Sequence, residues 1–240
     1  MRSFYVMYIL LLLLLTFASY GPRFVTSECD GLPVAAYASN GQIPLVSIKP
    51  QVNGLGINSA VHMQSASNLF SILDPRGDAL PRPHNNTYWL WAGRVLAGEH
   101  PAKLGADTLP ERMQLFAKAD ITHFIDLTTA EDPVTPYEPY EGVVRINHPI
   151  IDFGVPNRTQ MQNILESIQS ALNDGGKVYI HCRAGIGRTG TVAATWLASQ
   201  GLSGESALLL LLDKWQAVDK RADEPDTPET AEQRQFVLSW

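Results

Sequence analysis

From Lys177 to Ala198 the sequence reads Lys-Val-Tyr-Ile, then His-Cys-Arg-Ala-Gly-Ile-Gly-Arg-Thr-Gly, then Thr-Val-Ala-Ala-Thr-Trp-Leu-Ala. The first run is short and apolar and predicts a buried strand; the last predicts a helix from about Gly187 to Gln200, closed by Gly201. The residues between them must turn sharply from strand to helix, and glycines at 185, 187 and 190 let the backbone curl. A Gly-rich turn that opens a helix gathers backbone N–H groups and the positive helix end around one anion-sized spot. A chain built around such a unit is committed to layered strands and helices.

The flanking sequence agrees. Tyr88-Trp-Leu-Trp and Arg94-Val-Leu-Ala-Gly are apolar runs split by a Gly turn and predict a hairpin. Leu109 to Lys118 has helical periodicity with Pro110 in the first turn. His123-Phe-Ile-Asp-Leu and Val143-Val-Arg-Ile-Asn-His predict two further strands. Thr159 to Leu172 predicts an amphipathic helix closed by Asp174-Gly-Gly, Ser203 to Val218 another, and Pro228 to Trp240 a last short one. Alternating strands and helices mean an α/β fold. The leucines from Leu208 to Leu212 read as a helix buried nearly all round.

The turn also carries chemistry. Cys182 and Arg188 bracket five residues, and Thr189 follows. A cysteine beside an arginine and a helix N-terminus is favoured as the thiolate, the attacking form. The planar fork of Arg188 can meet two oxygens of a phosphoryl group. The spacing differs from the ATP-type loop, which needs Gly-x-x-x-x-Gly-Lys-Ser/Thr. A phosphate ester also needs a proton for its leaving oxygen. Upstream, Pro149-Ile-Ile-Asp-Phe-Gly-Val-Pro-Asn offers Asp152 as the sole carboxylate of a Gly/Pro loop able to cover the site.

These residues resemble the cysteine-dependent protein tyrosine and dual-specificity phosphatases. The signature His-Cys-x5-Arg-Ser/Thr-Gly is matched by His181, Cys182, Arg188, Thr189 and Gly190. The acid loop is matched by Asp152 with Pro156 behind it, in the dual-specificity arrangement rather than as Trp-Pro-Asp. The similarity runs from about Trp89 to Trp240. It implies a central four- or five-stranded mixed sheet flanked by helices, and hydrolysis through a phosphocysteine with no cofactor and no metal. Cys182 would be the nucleophile and Asp152 the acid. Arg188 and the backbone of Arg183, Ala184, Gly185, Ile186, Gly187 and Arg188 would hold the phosphate oxygens. The Thr189 hydroxyl would hydrogen-bond the departing thiolate. His181 and Gly190 would be structural. Arg183 adds a second cation at the loop, with an outward-facing, solvated side chain as its alternative.

The expected substrate is a phosphorylated protein or a small phosphomonoester, phosphotyrosine first and phosphoinositide behind. A phospho-binding module without catalysis would have no use for both Cys182 and Asp152. A rhodanese-like sulfur transferase would not need the Arg-Thr-Gly exit. With 18 Lys+Arg against 24 Asp+Glu, the net charge is −6 and no long basic block occurs, so nucleic acid is not an expected partner. The six histidines are scattered and give no metal-ligand spacing.

Residues 1–20 hold one arginine, an apolar run over about 4–19 and small residues at Thr16 and Ala18. They read as a secretory signal peptide, with an uncleaved membrane anchor as the alternative. Either places residues 86–240, the phosphatase-like domain, outside the cytoplasm. Residues 21–85, rich in Gly, Pro, Ser and Asn, read as an irregular extension. Cys29 and Cys182 are expected as two free thiols, since a disulfide would consume the nucleophile. The sequons at Asn85 and Asn157 read as chance occurrences. The sequence carries no signal for oligomeric state.

Overall fold

The computed structural model describes residues 68–69, 71–74 and 79–240. The N-terminal apolar segment of residues 1–20, Cys29 and most of the 21–85 stretch lie outside the described residues. Five strands form one sheet in the order β1-β2-β5-β3-β4: β1 (Thr87–Trp91), β2 (Val95–Gly98), β3 (His123–Asp126), β4 (Val144–Asn147) and β5 (Val178–His181). The expected hairpin pairs β1 with β2 in antiparallel register. All other pairings are parallel. The sheet is therefore mixed and five-stranded, and β5, which feeds the glycine-rich turn, is its central strand.

Alternation along the strands sends side chains to two cores. Tyr88, Leu90, Val95, Ala97, Ile125, Val178 and Ile180 enter the larger one. Trp89, Leu96, Phe124 and Tyr179 enter the smaller. Both faces are covered, which is why these strands read as unbroken apolar runs rather than as alternating ones. The smaller core is closed by α1 (Leu109–Lys118) through Met113 and Phe116. The larger is closed by α2 (Arg158–Asn173), α3 (Gly187–Ser199), α4 (Gly204–Trp215) and α5 (Ala231–Leu238). Every residue of α3 from Gly187 to Ala198 is buried, so this helix is the axis around which α2, α4 and α5 pack.

Local chemistry sets the helix ends. The Asn157 side chain accepts the Gln160 N–H at 2.8 Å and caps α2. Ser203 caps α4 as expected, through the Ser206 N–H. That helix ends at Trp215, short of Val218, and the chain continues through a 3-10 turn, Asp219–Ala222. The last helix begins at Ala231 rather than Pro228, because Thr230 and Gln233 cap each other's backbone there. The leucine run is less enclosed than expected: Leu210 and Leu211 are buried, while Leu209 is half exposed. Leu69 and Ile72, from the stretch read as an irregular extension, are buried in the larger core. Trp91 Nε1 donates to Ser71 Oγ beside them.

Candidate active site

In an open sheet of parallel strands, ligands bind beyond the carboxyl ends of the strands. Here those ends bring together the Gly98–Glu99 turn after β2, Asp126–Asp132 after β3, Ile150–Asp152 after β4 and the Cys182–Arg188 loop after β5. The loop curls so tightly against β2 that a Cβ on Gly185, at φ +76°, would stand 2.4 Å from the Gly98 carbonyl carbon. Only glycine fits there. Cys182 is buried at the bottom of the curl with a free thiol, and the Gly185 N–H points at Sγ from 3.3 Å.

Arg188 lies on the first turn of α3. Its side chain is 1% exposed. Its two terminal nitrogens donate to the Asp132 carboxylate at 2.7 and 2.8 Å, a bidentate pair, and one of them also to the Ile150 carbonyl at 3.0 Å. Asp152 Oδ1 lies 3.0 Å from the same guanidinium, and Asp152 Oδ2 lies 3.3 Å from Arg183. The loop aspartate is thus held over the anion cradle between two cations. Arg183 turns its guanidinium toward Asp152 while about a third of its side chain, 32%, stays exposed. The Nε atoms of both arginines are buried and have no protein partner, which suits the oxygens of a phosphoryl group. Hydrogen bonds from Arg188 hold the Asp132 carboxyl down at about 2, so it stays charged alongside the arginine.

His181 closes β5, directly before Cys182. It is fully buried, its Nε2 meets Tyr137 Oη at 2.6 Å, and its Nδ1 faces the Cys182 carbonyl at 3.4 Å. Burial lowers its pKa, which favours the neutral imidazole, with Tyr137 donating and Nδ1–H facing the carbonyl. Beneath it, Asp126 is wholly buried against Arg145 at 2.6 and 2.9 Å and against the Thr128 hydroxyl. Burial alone would raise the Asp126 carboxyl; the hydrogen bonds from Thr128 and Arg145 hold it below its ordinary value. Thr189 departs from expectation. Its hydroxyl donates to the Gly98 carbonyl at 3.4 Å rather than to Sγ, so it ties the helix start to β2.

Sequence reasoning missed Asp132, Asp126 and Tyr137. Asp126 had a signal: a carboxylate closing a buried strand must find partners. Asp132 had none, since it lies in an aperiodic acidic and Pro-containing loop. Beside Asp152 a cleft of about 480 Å³ opens, lined also by Thr129, Glu131, Asp132, Pro133 and Ile151. Ile151 is 78% exposed and presents an apolar wall.

Comparison with known proteins agrees with this geometry. A family model described as "Polymorphic toxin system, DSP-PTPase phosphatase" matches residues 101–202. The 197R protein of Invertebrate iridescent virus 6, which carries a tyrosine-phosphatase name, is 37% identical over 101 residues, 40% of this chain and 38% of its own length. The similarly named 067L protein of Invertebrate iridescent virus 3 is 36% identical over 134 residues, 53% of this chain and 52% of its own length. The chain thus spans about half or less of these curated relatives. The solved structure of Tk-PTP in its active form is 31% identical and covers 64% of this chain and 95% of that one, with a TM-score of 0.50. A phosphatase family model lying over the cysteine loop, and a solved relative matched along nearly its whole length, place the chain in the superfamily of cysteine-dependent protein tyrosine and dual-specificity phosphatases.

Proposed function

We propose that the domain hydrolyses phosphomonoesters through a phosphocysteine, with phosphotyrosine in a protein or peptide as the preferred substrate class. The observation that carries this is the convergence, beyond the carboxyl ends of the strands, of a buried free thiol, an N–H aimed at it, and Arg188 paired with Asp152. Cys182 Sγ attacks phosphorus; the S–P bond forms as the P–O bond to the leaving alcohol or phenol breaks. Asp152 gives its proton to that oxygen. Arg188 and the loop amides hold the equatorial oxygens as charge spreads over them. Water then attacks phosphorus, Asp152 takes its proton, and Cys182 leaves as thiolate with release of inorganic phosphate.

The lining of the cleft favours a phosphotyrosine peptide over a phosphoinositide. Glu131, Asp132 and Asp152 repel a polyanionic headgroup, while Ile151 offers an apolar surface to a phenyl ring. Turnover of p-nitrophenyl phosphate tests the chemistry. Cys182→Ser abolishes it while retaining phosphate-ester binding, and Asp152→Asn lowers kcat by about 10²–10⁴-fold. An active Cys182→Ser variant would sink the phosphocysteine. Tyrosine-phosphorylated peptide and phosphoinositide, compared by kcat/KM, decide the substrate class. The N-terminal apolar run supports export or membrane anchoring of the domain, and N-terminal sequencing of the natural protein tests cleavage.

A further inference from the structure

Lys220 reaches the phosphate loop from the 3-10 turn that follows α4, far from the loop in sequence. Its Nζ donates to the Ala184 carbonyl at 2.8 Å and to Glu99 Oε2 at 2.5 Å. Glu99, 2% exposed just beyond β2, is itself fixed: Oε1 accepts from Arg112 at 2.6 Å, and Asn86 Nδ2 lies 3.3 and 3.4 Å from its two oxygens. Burial works to raise the Glu99 carboxyl, yet the hydrogen bonds from Lys220 and Arg112 hold it below its ordinary value. The ammonium is therefore pinned by a charged, immobile partner.

What Lys220 grips matters. The Ala184 carbonyl and the Gly185 N–H belong to one planar trans peptide, so they point in opposite directions. The oxygen points at Lys220 and the N–H points at Cys182 Sγ, 3.3 Å away. We propose that Lys220, anchored by Glu99, is a positioning residue that holds and polarises the Ala184–Gly185 peptide so that its N–H stabilises the Cys182 thiolate. A cation on the carbonyl fixes the rotation of the peptide and strengthens its N–H as a donor, because linked hydrogen bonds polarise one another. An ordinary half-exposed ion pair would contribute little and would touch stability alone. The carbonyl contact gives this one a route to the nucleophile. The inference rests on Cys182 being the nucleophile of the proposed function.

The test uses the full chain and a readout that needs no turnover: the rate at which iodoacetamide alkylates Cys182 at pH 6, followed on its peptide by mass spectrometry. Lys220→Met, which keeps the length of the side chain and removes the charge, slows alkylation about tenfold, the scale expected when a thiolate loses a stabilising donor. Lys220→Arg stays within about threefold of wild type, since it keeps a cationic donor. Wild-type alkylation in a folded Lys220→Met protein, whether or not its Tm falls, would overturn the proposal and leave Lys220 purely structural. If Lys220→Met does not fold, Lys220→Gln serves in its place, with the same slowing expected and the same unchanged rate overturning the idea. A wild-type protein inert toward p-nitrophenyl phosphate would defeat the proposed hydrolysis, while the Lys220 effect on alkylation would stand or fall on its own.

Discussion

Arg188 is shared among Asp132, Asp152 and the Ile150 carbonyl, and the three contacts differ in kind. Asp132 meets it with two short, nearly equal bonds from a carboxylate that is 2% exposed, a fork-to-fork contact that fixes the guanidinium plane. Asp152 makes a single contact from a more exposed loop and can let go. Removing Asp132 has two opposed effects on a bound phosphate: it loosens the plane, and it takes a negative charge away from the site. Asp132→Ala is therefore expected to lower kcat about tenfold, roughly 1.4 kcal/mol of alignment, with KM little changed as the relieved repulsion offsets weaker positioning. Steady-state kinetics on p-nitrophenyl phosphate check this, and an unchanged kcat would mean that the Ile150 carbonyl alone aligns the arginine. Cys182, Arg188 and Asp152 were legible in the sequence because a contiguous loop and a Gly/Pro loop announce themselves locally. Asp132, Glu99 and Lys220 were not, because each meets the loop only through the crossings of the sheet, and no spacing along the chain encodes that.

At the scale of elements, the turn between β5 and α3 is a bend built around one obligatory glycine. Gly185 combines a positive φ with backbone of β2 within 2.6 Å of where a Cβ would stand. Gly175, just after α2, also has a positive φ, +81°, but nothing lies within 4 Å of it. The pair separates conformational strain from steric exclusion. Gly175→Ala is expected to cost about 1 kcal/mol of stability with activity retained. Gly185→Ala must push the loop off β2, swing its N–H away from Sγ and lower kcat by about a hundredfold or more. Thermal melts together with activity assays read both, and equal effects of the two substitutions would refute the distinction. The elements themselves were legible wherever an apolar run ended at Gly, Pro or a capping side chain, which covers all five strands and the body of each helix. The ends that shifted, at Trp215 and Ala231, shifted where a 3-10 turn and a reciprocal Thr230–Gln233 cap overrode the apolar pattern.

For the whole molecule, the polar groups beneath the site tie stability to pH. Burial, followed by Arg112, depresses His84 from 6.5 to about 3, and burial, followed by His181, does the same to His100. His100 is 1% exposed and uses its Nδ1 to accept the Ala102 N–H at 3.1 Å, a bond that needs the unprotonated nitrogen. In the unfolded chain both imidazoles take up a proton near pH 6.5, while in the folded protein they stay neutral until about pH 3. Between those values the unfolded state binds more protons, so stability is complete above pH 6.5 and declines steadily as the solution is acidified. The carboxylates act later: Asp132, ordinarily near 3.8 and held at about 2, contributes stability that persists down to its ordinary value and disappears only below it. Acid loss of stability should therefore begin in the histidine window, nearly three pH units before Asp132 takes part. The measurement is the urea midpoint at half-unit steps from pH 7.5 to 4.5. His100→Asn, whose side-chain oxygen can still accept the Ala102 N–H, should flatten the decline by about one proton. A midpoint independent of pH over that range would show that the buried histidines do not set the acid limit of the fold.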